Sequence, residues 1–68
     1  MYILNEETKT ELEKYKRINL INSTGVSYYT LQKLIEEDKP VYKKDAYCIT
    51  KYLNAEAEIE DYFTRKEK

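Results

Sequence analysis

The chain has no histidine, a single residue each of cysteine, glycine and proline, and no long apolar run. Each scarcity excludes something. Without histidine, the usual zinc ligand sets and the histidine-centred nucleophilic and acid–base constellations are missing. One cysteine, Cys48, cannot close an internal disulfide and is expected to be a small buried hydrophobe. No stretch approaches the roughly 18 apolar residues that a membrane span needs. The opening "MYILNEETKTELEKYK" carries acids where a secretory signal carries a basic segment. There is no Gly/Ser- or Pro-rich linker and no internal repeat, so the 68 residues are expected to form one intact cytoplasmic domain. No cofactor, no metal, no membrane and no enzymatic role are expected of it. A domain of this length hides only about 60% of its unfolded surface, which points to marginal stability.

What is present is charge and tyrosine. Charged residues make up 37% of the chain and hydrophobic ones 41%, with eight tyrosines that join apolar bulk to a polar tip. The net charge is −1, but its distribution is uneven. The first 13 residues and the last 24 are acidic in balance. Residues 14–44 set Lys14, Lys16, Arg17, Lys33, Lys39, Lys43 and Lys44 against only Glu36, Glu37 and Asp38. A basic centre between acidic ends leaves a phosphate-bearing partner open despite the overall acidity.

The local signals are helical. Thr8 and Glu11 have the spacing of a capping box, which would start a helix near residue 9, while Asn5 offers an earlier cap with Leu4, Thr8, Leu12 and Tyr15 along one stripe. "MYIL" reads as either a short strand or an ordered tail. The apolar face shifts near residues 16–18, where Ile18, Leu20 and Ile21 replace the first stripe, so a break is expected there. "NSTG" closes the next helix, because Gly25 can adopt the left-handed conformation without a Cβ clash. Ser27 then caps a third helix, at about residues 28–37, that buries Val26, Leu31, Leu34 and Ile35 on one side. Tyr28, Tyr29, Gln32, Lys33 and Glu36 occupy its other side. Pro40 ends it. A fourth helix is expected from about residue 43 with Ala46, Ile49 and Leu53 inward, and a fifth beyond Asn54 with Ile59, Tyr62 and Phe63 on one face. A polar end over about residues 64–68 is expected to fray. The fold class is therefore all-α, a compact bundle of four to five short helices. The acids Glu56, Glu58, Glu60 and Asp61 spread around a helix and read as a solvated face.

Two short helices about a glycine turn, the second opened by serine and flanked by basic loops, describe a helix-turn-helix, whose second helix fits the major groove. "TGVSYYTLQKLIEEDKP", followed by "AYCITKYLN" and "IEDYF", resembles the lambda-repressor-like, or XRE, helix-turn-helix family over about residues 18–63. The "TGVSxxTL" portion is its most specific part. Excisionase and MerR-like winged helices share a "GVSxxTLxxLIxE" appearance, but there a β wing follows the proline, and "AYCITKYLN" reads better as helix. One departure stands out. Relatives begin the helix before the turn with Ser or Thr followed by Gln, whereas "YKRINLINSTG" has Lys16 and Arg17 in that region.

The resemblance implies a sequence-specific DNA-binding transcriptional regulator of the phage or mobile-element repressor type, acting on double-stranded DNA as a homodimer. It places Tyr28, Tyr29, Gln32 and Lys33 against base edges; Gln can pair with adenine and Lys can donate to guanine. It places Arg17, Ser27, Thr30, Lys39, Tyr42, Lys43 and Lys44 at phosphates, and Tyr62 and Phe63 at a dimer face. Residue chemistry alone also allows Glu13 to pair with Arg17 at i, i+4. The net acidity, the doubled tyrosine, the acids that end the third helix and the absent Gln support a different function for the same fold. That alternative is another regulatory protein as partner, bound by an antirepressor or an inhibitor of a DNA-binding protein.

Overall fold

Tyr2 and Leu4 are buried and Ile3 between them is half-buried, and this period-two pattern forms strand β1 (Tyr2–Leu4) in the computed structural model, which describes residues 1–66. Helix α1 (Glu6–Leu12) starts at the earlier of the two expected positions, directly after Asn5. The Asn5 side chain does not cap it; its amide oxygen accepts instead from the Thr64 hydroxyl at the far end of the chain. Thr8 and Leu12 turn inward.

The break expected near residues 16–18 falls at residues 13–16, and α2 (Arg17–Thr24) follows it. Gly25 has φ 77° and its N–H bonds to the Ile21 carbonyl at 2.9 Å, ending α2 in the left-handed cap that the sequence foretells. Thr24 stiffens the turn from within: its hydroxyl donates to the Leu20 carbonyl at 2.7 Å and accepts from the Val26 N–H at 3.1 Å. Ser27 caps α3 (Tyr28–Glu36) by accepting from the Thr30 N–H at 3.2 Å. Helix α4 (Lys43–Leu53) follows Pro40 where a β wing would stand, and the single-turn α5 (Ile59–Tyr62) comes after it.

The expected all-α bundle needs one correction. The chain is mostly helical, but Phe63–Arg65 form strand β2, antiparallel to β1, with Leu4 opposite Phe63 and Tyr2 opposite Arg65. Tyr2 also exchanges two 2.8 Å backbone bonds with Val41, so the loop after α3 is stitched to the other edge of β1. The frayed end expected from Thr64 onward is thus paired through Arg65, and the Lys66 N–H reaches the Met1 carbonyl at 2.7 Å. Residues 67 and 68 lie outside the described residues. A period-two pattern over three residues is too short to separate a strand from an ordered tail at "MYIL", and β2 pairs only across the whole chain, so the helical pattern dominated.

Leu12, Leu20, Leu31, Leu34, Ala46 and Ile49 are completely buried, and Phe63 is 1% exposed, its ring edge-on to that of Tyr2 with centroids 6.5 Å apart. Phe63 therefore belongs to the core and presents no face to a second copy; Tyr62 beside it is half-buried. Cys48, expected to be buried, is also only half-buried, packed against the core from α4.

Candidate nucleic-acid interface

The outward side of α3 follows from its capping. Ser27 sets the helix start, and the inward period of Leu31, Leu34 and Ile35 leaves Tyr28 and Tyr29 at the solvent, 52% and 66% exposed. Gln32 and Lys33, one turn on, are half-buried. Tyr29 and Lys33 are four residues apart, so the lysine lies over the ring, with Nζ 4.5 Å from its centroid.

Because Val41 is bonded to Tyr2, the Pro40–Tyr42 segment is drawn alongside α3, and a surface groove of about 230 Å³ forms between them. It is lined by Tyr29, Thr30 and Lys33 of α3 together with Met1, Pro40, Val41, Tyr42 and Asp45. Tyr42 is 70% exposed. Lys39, Lys43 and Lys44 stand exposed in and after this segment and enter none of the ion pairs among the described residues. Four of the expected contact residues, Tyr29, Thr30, Lys33 and Tyr42, thus share one groove. Tyr28 and Gln32 are not among its lining.

Arg17 is turned elsewhere. Its Nη2 lies 3.3 Å from the Glu36 carboxylate, joining the start of α2 to the end of α3, and the i, i+4 pairing with Glu13 does not form. The Ser27 hydroxyl is committed within the chain, accepting from the Thr30 N–H and donating to the Thr30 hydroxyl at 3.0 Å.

Sequence reasoning left the three acids at the end of α3 without a role, and the structure supplies one for two of them. Glu36 neutralises Arg17. Asp38 adopts φ 54°, which lets the Lys39 N–H reach the Lys33 carbonyl at 3.1 Å, and its carboxylate forms an ion pair with Lys9 of α1. The hydrogen bond to Asp38 raises the Lys9 pKa above the ordinary lysine value, against a smaller lowering from burial. No sequence spacing relates Lys9 to Asp38 or Arg17 to Glu36, so these pairs had no signal to find. Met1 and Asp45 were missed for the same reason.

Among the described residues no group of Cys, Asp and Glu is arranged to hold a metal ion, and no helix is long and apolar enough to cross a membrane. No family model, curated protein or solved structure matches the chain.

Proposed function

We propose that the protein is a small sequence-specific DNA-binding regulator in which α2, the Gly25 turn and α3 act as a helix-turn-helix, with α3 entering the major groove of double-stranded DNA. The observation that carries this reading is the joining of the exposed α3 face to an unpaired basic edge. Tyr29 and Lys33 share a groove with Tyr42, and the exposed Lys39, Lys43 and Lys44 adjoin the Pro40–Tyr42 segment in the chain and enter none of the ion pairs among the described residues, although Lys43 lines a second cavity with Glu58 and Glu60. The two acids nearest the end of α3 that are paired, Glu36 and Asp38, are bound to Arg17 and Lys9, which tempers the repulsion they would exert on phosphate.

In this reading Tyr28, Tyr29, Gln32 and Lys33 face base edges, while Lys39, Lys43 and Lys44 grip phosphates and set register without reading sequence. Tyr42 adds a hydroxyl to the same backbone track. Arg17 reaches a phosphate only by leaving Glu36, and Ser27 and Thr30 contribute to the α3 cap before any contact with DNA. One module buries little base-edge surface, so two copies on half-sites about 34 Å apart are the natural functional unit. With Phe63 in the core, Tyr62 alone remains of the expected dimer face. Promoter occlusion in the cytoplasm, as resembles phage or mobile-element repressors, is the corresponding action.

The purified protein mixed with random short duplexes at low salt should enrich a two-fold motif, and binding of that motif should weaken steeply as salt rises. Three phosphate contacts per copy correspond to a log–log slope of about −2.7, and to roughly twice that for a dimer. Absence of enrichment, with feeble binding even at low salt, would overturn the proposal. The high exposure of Tyr28, Tyr29 and Tyr42 favours a second reading in that event, a protein partner docked on the same helix, since exposed tyrosines in a cluster are typical interface anchors.

A further inference from the structure

One group in the α3–α4 groove has no part in the contacts assigned so far. Asp45 is the third residue of α4, half-buried, and lines the same groove as Tyr29 and Lys33. It enters none of the ion pairs among the described residues, although Lys33 lines the same groove and Lys43 and Lys44 precede it in the chain. An acid in the first turn of a helix is favoured by the helix dipole, which accounts for its presence in α4 but not for its place in a groove shared with α3. On a surface that approaches phosphates, a carboxylate opposes binding. The chemistry on a duplex that rewards it is a base-edge amino group.

We propose that Asp45 is a specificity-determining residue, and that its carboxylate and the Lys33 ammonium together read one C·G base pair. The Asp45 carboxylate accepts from the cytosine N4 amino group, and Lys33 donates to guanine O6 and N7. Cytosine N4 and guanine O6 are neighbours on one major-groove edge, so an acceptor and a donor that share one groove match them. The Tyr29 ring under Lys33 restricts where that ammonium can go. An A·T pair also presents an amino group and a carbonyl, but it places the thymine methyl among these charged groups, and its two acceptors, adenine N7 and thymine O4, lie on either side of the adenine amino group instead of side by side as guanine N7 and O6 do.

This inference rests on the DNA-binding reading, and its test separates the two. Wild type, Asp45→Asn, Asp45→Ala and Lys33→Gln, each confirmed to melt cooperatively, are carried through the same random-duplex selection and salt series. Wild type should favour C·G at one position of each half-site by about tenfold. Asp45→Ala and Lys33→Gln should lose that preference there alone, and Asp45→Asn should move it toward A·T, because an amide pairs with adenine. If the Asp45 variants bind every sequence more tightly by one common factor with preferences unchanged, Asp45 merely repels phosphate and the inference fails while DNA binding stands. If wild type enriches nothing, the DNA-binding reading fails and takes the inference with it.

Discussion

Gly25 and Ser27 show how much a single residue settles in this chain. Gly25 has φ 77°, and a Cβ built there meets no atom within 4 Å, so the cost of Gly25→Ala comes from backbone conformation and not from a clash. It should destabilise the domain by about 1 kcal/mol. Ser27→Ala removes the cap of α3 and should cost about 1 kcal/mol, whereas Ser27→Asp should retain most of the stability because Asp caps equally well. Urea midpoints of the three variants check both expectations. Phe63 is the sharper case. Burial at 1% exposure makes Phe63→Ala a loss of about 3–5 kcal/mol, a large fraction of the stability expected for a small domain, while Tyr62→Ala at a half-buried position should cost clearly less. If Phe63→Ala instead left the melt unchanged and altered only self-association, its assignment to the core would be wrong.

Among the elements, the end of α3 is where three helices meet electrostatically. Glu36 binds Arg17 of α2 and Asp38 binds Lys9 of α1, so the helix that carries the candidate contact face is tied at its C-terminal end to both preceding helices. Because the Lys9 pKa is raised in the folded state, its contribution to stability is complete below the ordinary lysine pKa and is lost as pH rises through the raised value. The advantage of wild type over Lys9→Met in unfolding free energy should therefore be constant from neutral pH up to about pH 10 and then shrink. Tyrosines ionise in the same range, so the difference between the two proteins, followed by denaturant unfolding at each pH, is the quantity to measure. A difference independent of pH through that range would show that Lys9 acts through its packing alone.

Across the whole molecule, charge is sorted by folding. Lys9, Lys14 and Arg17 are paired with acids of the same chain, whereas Lys39, Lys43 and Lys44 are exposed on either side of the Pro40–Tyr42 segment in the chain and enter none of the ion pairs among the described residues. Substituting any one of these three with Gln should weaken DNA binding uniformly over sequences and make the salt slope shallower by about one. Arg17→Gln should change that slope less, because Arg17 already has a carboxylate partner. Salt titrations of the four variants on one duplex separate these outcomes, and equal changes for all four would show that Arg17 leaves Glu36 on binding.

By itself the sequence determined the helical interior: the break near residue 16, the Gly25 cap, the Ser27 start of α3, the inward stripe of Leu31, Leu34 and Ile35, and the exposure of Tyr28 and Tyr29. These features depend on interactions within about four residues, and capping and the helical period express them directly. The tertiary structure decided what lies far apart in the chain. It paired Tyr2–Leu4 with Phe63–Arg65, drew Val41 to Tyr2, matched Arg17 with Glu36 and Lys9 with Asp38, and brought Asp45 to the groove that Lys33 lines. Each of these contacts forms only when loops close over long separations, and a three-residue strand or a lone charge bears no mark of the partner that closure will bring to it.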